Sequence, residues 1–425
     1  MIQFADMMKR KEHTELITGL DIGSTAIRIA VGQYTRNQMG QDKMQIMGTV
    51  EVPSEGLQKG IITSIEDTVS AISNALEQTE RLIGLPIEHI WVGISGIQII
   101  AQESRGVIAV SRSDGEISHD DVERAVEAAR TVASPLNYEV LHVLPRSFRV
   151  DGQTNIKDPV GMTGIRLEVD TNIIYGLATH LKNITKAVYR AGVDIDDFVL
   201  TILAASEAVL DARQKELGVV VVNIGGPTTS VVVFEDGDVV HTSVIPIGST
   251  HITNDLALGL KTSIDVAERV KIRFGQCTTK GLTKKDVIDL FECGAQEPEE
   301  VSLYYVSQII EARVGEILEK IDNELIKIDR SRLLPAGVIF IGGGSKIRNL
   351  IDLTREEMGL PAALGECRGV EGITGRIADV GFIPAIGLVQ WGVNMVHSST
   401  RRTFSFNLGG KISDKMQKIF KSLIP

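Results

Sequence analysis

Aromatic residues make up only 4% of this 425-residue chain, and it holds three cysteines. So few aromatics argue against a surface that stacks on bases or sugars, and a net charge of −11 argues against nucleic acid as a partner. Cys277, Cys293 and Cys367 are scattered and form no CxxC pair, so neither a zinc site nor a disulfide framework is indicated. The eight histidines include no HExxH. No apolar run approaches the ~18 residues of a spanning helix. The opening MIQFADMMKRKEH has charge but lacks the apolar core of a secretory signal. These absences point to a cytoplasmic protein. Hydrophobic residues at 43% and charged residues at 23% match ordinary globular domains, and the length suits two or three of them.

The charge that is present is unevenly placed. Residues 398–425 carry six Lys/Arg against one Asp, which leaves −16 of the chain's −11 total to residues 1–397. The final stretch, KISDKMQKIFKSLIP, sets Ile412, Met416, Ile419, Phe420, Leu423 and Ile424 within an arc of about 140° at helical spacing. Lys411, Asp414, Lys415, Lys418 and Lys421 fall outside that arc. The polar Ser398–Gly410 segment before it reads as a linker. A basic amphipathic end on an acidic body predicts attachment to anionic lipid, at ~1 kcal/mol per lysine, reinforced by avidity on a polymer. The plainer alternative is a terminal helix docked on its own domain.

Two segments of the body resemble each other. Leu16–Gly32 and Gly218–Asp236 each read as a buried strand, a glycine turn and a second strand, which predicts a duplicated, two-lobed architecture. Helical patterns cover Ser64–Ile83, Asn183–Ala191, Leu203–Ala212, Ser263–Phe274 and Glu300–Ile328. A strand at Gly337–Ile341 runs into Gly342-Gly343-Gly344-Ser345 and then toward another helix. Alternating strands and helices mean α/β. Residues 86–166 break the rhythm with strand-like runs at His89–Ile94, Gly106–Val110 and Glu139–Val150 around one helix, Ser118–Val132. This reads as a small α+β insert.

Three glycine turns suggest a phosphate site, because glycine lets backbone N–H groups approach an anion closely. The first, Asp21-Ile22-Gly23-Ser24-Thr25, adds two hydroxyls and a carboxylate able to hold Mg²⁺ through water. The second, Asn223-Ile224-Gly225-Gly226-Pro227-Thr228-Thr229, closes from the other lobe. The third, at Gly342–Ser345, offers a helix N-terminus to the adenosine or α-phosphate side.

In this order the turns resemble those of the FtsA family, actin-like bacterial division proteins that tether the tubulin-like FtsZ ring to the membrane. The resemblance spans roughly Thr14 to Val396 and the tail. It rests on DIGST at Asp21, SEGLQKG at Ser54, GISG at Gly93, SRG at Ser104 and DPVGMTGIRLEV at Asp158. It continues through LAASEAVL at Leu203, IPIGSTHITNDLALGL at Ile245, AERVKIRFG at Ala267, IGGGS at Ile341 and AIGLVQWG at Ala385.

The resemblance implies an actin/Hsp70-type two-lobed ATP-binding fold with a small insert, subdomain 1C, and a C-terminal amphipathic helix. Residues 1–13 would be a disordered extension, 14–85 and 168–214 subdomain 1A, and 86–167 subdomain 1C. Residues 215–250 and 335–384 would form 2A, 251–334 would form 2B, and 385–397 would end 1A. Residues 398–410 would link to a membrane-targeting helix at 411–425. ATP and Mg²⁺ would lie between the lobes, against Asp21, Gly23, Ser24, Thr25, Asn223, Gly225, Gly226, Thr228, Thr229, Gly342, Gly343, Gly344 and Ser345. Glu268 and Lys271 would line the nucleoside. The implied partners are the FtsZ C-terminal peptide on 2B, further copies of the chain through 1C, and anionic lipid on the inner face of the membrane at the division site. Lys261, Arg269, Arg273, Lys284 and Lys285 are basic candidates for holding the peptide.

The phosphate end departs from the family pattern. Ala26 stands where a Lys is usual, and Arg28, two residues on, is expected to face elsewhere. The second turn has Asn223, Pro227 and Ser230 where Asp, Gly and Asp are usual. Thr201 stands where some members of the wider fold have a water-orienting Glu or Gln. These losses predict very slow hydrolysis or none, with loss of nucleotide binding as the stronger version. The competing readings are a PilM-like peptide-binding protein of pilus assembly, a small-molecule kinase and a chaperone ATPase.

Overall fold

The computed structural model describes residues 15–36, 42–132, 135–372 and 375–400. The tail that carries the membrane expectation, and residues 1–13, lie outside these described residues.

Val219–Ile224 shows why the central strands form. Four consecutive β-branched valines, Val219 to Val222, are fully buried, so both faces of this strand are covered. Burying such a side chain contributes about 1.5–3 kcal/mol. The strand pairs antiparallel with Thr229–Glu235 across the second glycine turn and parallel with Gly337–Ile341 on its other side. In the first lobe Glu15–Ile22 does the same, antiparallel with Ala26–Arg36 and parallel with His89–Ile94.

The repetition is complete at the level of topology. The first-lobe sheet runs Asp194–Leu200, His89–Ile94, Glu15–Ile22, Ala26–Arg36 and Asp42–Pro53, with Val370–Gly372 added at the edge. The second-lobe sheet runs Ala362–Leu364, Gly337–Ile341, Val219–Ile224, Thr229–Glu235 and Asp238–Ile245. Numbered along the chain within each lobe, both orders are 5-4-1-2-3. Each lobe has its own apolar core, and the insert has a third.

Helices start where polar caps predict. Ser64 accepts from the Asp67 N–H at the start of Ile65–Ile83, and Ser263 from the Val266 N–H at the start of Ile264–Phe274. Other helix boundaries shift. The Ala-rich stretch splits into Thr201–Val209 and Ala212–Leu217, because Asp211 and Gln214 form a capping box that starts a second helix. The long helix begins at Leu303, since Glu300–Ser302 pairs as a strand with Val287–Asp289.

The insert differs in its bounds from the expected 86–167. Its four-stranded sheet is built from Ile99–Ala109, Arg166–Leu177, Tyr138–Val150 and Gln153–Ile156. His89–Ile94 is instead an inner strand of the first lobe, and the last insert strand runs ten residues past 167. The helix His119–Val132 crosses this sheet at Gly106, where a Cβ would sit 1.9 Å from the Ala125 carbonyl oxygen. The neighbouring Ser104 Oγ donates to Ala129 O at 2.7 Å, and Arg105 pairs with Asp170 at 2.6 Å. The SRG motif is therefore a packing element of the insert.

Candidate functional site

The three glycine turns converge. A cavity of about 830 Å³ between the lobes is lined by Asp21, Gly23, Ser24 and Thr25 from the first turn. Asn223, Gly225, Gly226 and Thr228 line it from the second, and Gly342, Gly343 and Gly344 from the third. The first two turns touch: a Cβ on Gly226 would lie 2.5 Å from Thr25 Cγ2. Each hairpin is closed by its own backbone, Gly23 N–H to Ala26 O at 3.1 Å and Gly225 N–H to Thr228 O at 2.9 Å.

The second turn is buttressed from behind. The helix Ser249–Gly259 directs its first N–H groups, on Ser249 and Thr250, to the carbonyls of Gly225 and Gly226, both at 2.9 Å. Its hydroxyls repeat the pattern, Ser249 Oγ to Gly225 O and Thr250 Oγ1 to Gly226 O, each at 3.0 Å. The sequence motif IPIGSTHITNDL thus has a mechanical role. It holds the carbonyls of a turn in which Pro227 supplies no N–H.

Glu268 and Lys271 also line the cavity, and they pair with each other at 2.7 Å. Lys271, 9% exposed, donates to Thr253 Oγ1 at 2.8 Å and to Ser249 O at 3.2 Å. The ammonium is therefore committed to tying two helices together, while Glu268 keeps an exposed side. Ile264 and Ile272 on the same helix present apolar side chains, 60% and 69% exposed, to the same cavity. A flat heterocycle fits against such a rim.

Two expected residues do not line the cleft. Thr229 is fully buried and its hydroxyl donates to Ile247 O at 2.8 Å. Ser345 is 1% exposed and its hydroxyl donates to Gly342 O at 2.6 Å. Both side chains are spent on the scaffold. The third turn also lacks the expected helix N-terminus. Gly343–Lys346 is a single 3-10 turn, and the α-helix Leu350–Met358 begins only after Asn349. Gly342 adopts φ 86° with its Cα against Asn223, where a Cβ would lie 2.1 Å from Oδ1, so only glycine fits there.

Arg28 corrects the expectation that it faces elsewhere: it lines the cavity. The reason is the two-residue period of a strand, which puts Arg28 on the same face as Ala26. Its Nε donates to Glu51 at 2.6 Å, and its guanidinium lies 5.9 Å from the centroid of the Phe382 ring.

Asp21 is 6% exposed, and no hydrogen bond or ion pair reaches its carboxylate among the described residues. Burial pushes its pKa up to about 6, against a smaller downward pull from Arg28. A buried acceptor left without a partner, beside hydroxyls and glycine amides, fits a hydrated divalent cation. Thr201 is 1% exposed with its hydroxyl unpartnered, and it stands behind Gly93 rather than in the cavity.

Ser54, Gly60 and Ser95 line the cavity as well, from the SEGLQKG and GISG motifs. Neither motif shows a role in the sequence alone. Arg269 and Arg273, among the five basic candidates for peptide binding, are drawn into their own subdomain. Arg273 donates to Glu292 O at 2.6 Å, and the Arg269 guanidinium packs over Gly294. Among the described residues no helix is long and apolar enough to cross a membrane.

Two lobes of like topology, closing glycine turns on one polar cleft, define an actin-like protein. Solved structures of similar fold agree. The PilM–PilN type IV pilus biogenesis complex matches at TM-score 0.65 and 16% identity, over 89% of this chain and 98% of that one. MreB5 of Spiroplasma citri bound to ADP matches at TM-score 0.52 and 11% identity, over 91% and 99%. Sequence is more specific. Residues 220–387 match the model of "Cell division protein FtsA", and residues 96–175 that of the "SHS2 domain inserted in FTSA". Cell division protein FtsA of Pseudomonas aeruginosa is 34% identical over 89% of both chains. That of Bacillus subtilis is 36% identical over 89% of this chain and 84% of its own. The chain belongs to the FtsA family of cell division proteins. The PilM-like alternative rested on the shared fold, which is all that 16% identity carries.

Proposed function

We propose that the chain binds ATP with Mg²⁺ in the interlobe cleft and acts as a membrane-attached scaffold of bacterial cell division. The observation that carries this is the meeting of three glycine turns from two lobes around the unpaired carboxylate of Asp21. The turns would cradle the phosphates, Ser24, Thr25 and Thr228 would add hydroxyls, and Asp21 would hold the cation's water shell. The exposed side of Glu268, with Ile264 and Ile272, would take the nucleoside. Bound Mg²⁺ would neutralise phosphate charge. MreB5 of Spiroplasma citri has been solved with ADP and with AMPPNP, which supports a nucleotide in a cleft of this fold.

Hydrolysis is slow or absent in this reading. Asn223 and Ser230 bring no charge to the cavity wall, Pro227 brings no N–H, and Thr201 is walled off from it. Nucleotide then serves to stabilise a polymer assembled through the insert. The polymer would lie on the cytoplasmic face of the membrane at the division site, with the basic tail 411–425 in the lipid surface and the FtsZ peptide on subdomain 251–334.

Flotation with anionic liposomes tests the reading, comparing the full chain with one ending at Gly410, with and without ATP. The full chain floats, the shortened one does not, and ATP increases flotation through avidity. If neither floats, the tail docks on its own domain and the tether reading fails. Turnover above about 1 s⁻¹ would remove the scaffold reading.

A further inference from the structure

The first glycine turn has no basic residue, since Asp21 to Ala26 reads DIGSTA. A polyphosphate held by a first turn without a basic residue still requires positive charge at its terminal group, where Mg²⁺ alone leaves charge uncompensated. The strand Ala26–Arg36 places such a charge. Ala26 and Arg28 share a face, one pleat or about 7 Å apart. Residues directly opposite in an antiparallel ladder also share a face, and Arg28 stands opposite Asp21 on one side and Glu51 on the other. All four residues line the cavity.

The Arg28 side chain is 16% exposed and held in one orientation. Nε is bound to Glu51, and the plane is backed by Phe382. A guanidinium fixed at Nε keeps its terminal amino groups as a fork, the geometry that grips phosphate oxygens. The small methyl of Ala26 leaves the approach from the turn to that fork uncrowded. Asp21, the carboxylate suited to the cation, is the residue paired across from it. Cation and terminal phosphate sit together in nucleotide sites of this chemistry.

We infer that Arg28 binds the terminal phosphate and makes the cleft prefer a nucleoside triphosphate to the diphosphate. Its guanidinium supplies, from one pleat along the strand, the charge that the turn lacks. The inference rests on the nucleotide reading above.

The test is calorimetric titration of the purified full chain with Mg-ATP, Mg-ADP and adenosine. Arg28→Ala should weaken ATP roughly 10- to 100-fold, the loss expected for a charge-assisted contact, and ADP less than about 3-fold. Adenosine binding should be unchanged. Adding Ala26→Lys to Arg28→Ala should recover part of the ATP affinity, because the two positions share a face. Should the alanine variant not fold, Arg28→Gln keeps a donor for Glu51 without the charge and should show the same selective loss. Equal weakening of all three ligands would mean a structural role and overturn the inference, as would unchanged ATP affinity. A wild-type chain that binds none of the three would remove the nucleotide reading, and this inference with it.

Discussion

Gln98 Nε2 lies 2.7 Å from His180 Nε2, and the two residues flank the insert: Gln98 precedes its first strand and His180 follows its last. The same amide nitrogen donates to Gly60 O at 2.9 Å and Ser95 O at 3.1 Å. His180 Nδ1 and Gln98 Oε1 have no hydrogen-bond partner among the described residues. Two carbonyls fix which way the amide points and take both its protons, so His180 Nε2 accepts only a share of one of them. Burial pushes the His180 pKa down to about 4, which keeps the ring neutral as this requires. On the far side, the Gly60 N–H donates to Ser24 Oγ at 2.7 Å. A line of hydrogen bonds therefore runs from the first glycine turn, through SEGLQKG and GISG, to the base of the insert.

Replacing Gln98 with Leu should break this line. Two partly buried carbonyls lose their donor, at a cost of about 1 kcal/mol. Hydrogen exchange should quicken at residues 56–60 and at the insert boundary, and leave the second-lobe strand Val219–Ile224 unchanged. Uniform acceleration across both lobes would show that the pair is generic core and no local junction.

Asp21→Asn should stabilise the protein near neutral pH. The folded pKa is raised from 3.8 to about 6, so the folded state holds more protons than the unfolded between those values. Stability therefore falls as pH rises through that window, and about 3 kcal/mol is missing above it. Chemical denaturation without nucleotide should find the variant more stable at pH 7.5 by roughly that amount, and level with wild type near pH 4. Mg²⁺ with ATP should stabilise the wild type more than the variant. A variant no more stable at pH 7.5 would mean that the carboxylate has a partner.

His142 carries the opposite sign. It is 6% exposed, burial lowers its pKa to about 4, and its Nε2 accepts the Leu200 N–H at 2.9 Å. Its stabilising effect is complete above the unfolded value of 6.5 and is lost as pH falls toward 4, about 3 kcal/mol in all. His142→Gln should flatten the stability profile between pH 6.5 and 4. An unaltered slope would assign the acid sensitivity to His180 and the carboxylates.

Lys157 of the insert reaches the second lobe, pairing with Asp238 and donating to Asp236 O at 2.8 Å. The lysine is 55% exposed, so the ion pair should be weak. A double-mutant cycle of Lys157→Ala and Asp238→Ala should give a coupling below about 1 kcal/mol that shrinks with added salt. A larger, salt-insensitive value would make this contact a rigid clasp between insert and lobe.

Local pattern determined a good deal here. The runs of β-branched residues marked Glu15–Ile22 and Val219–Ile224 as buried strands, Ser64 and Ser263 marked helix starts, and the glycines marked the turns. The repeat of strand, turn and strand was enough to read two lobes, because strand formation and turn geometry depend on neighbours a few residues away. Pairing and donor saturation do not. His89–Ile94 looked like part of the insert until Glu15–Ile22 took it as a partner. The hydroxyls of Thr229 and Ser345 looked free for phosphate, but acceptors in the folded scaffold claimed them. Strand period put Arg28 beside Ala26, yet only the ladder with Glu15–Ile22 and Asp42–Pro53 turned that face to the cleft. Gln98 met His180, 82 residues away, through the folding of an entire insert between them. Which groups exist and how each segment folds were written in short stretches of chain. Which groups remain unsatisfied, and so open to a ligand, depended on partners that only the closed tertiary structure brings within hydrogen-bonding distance.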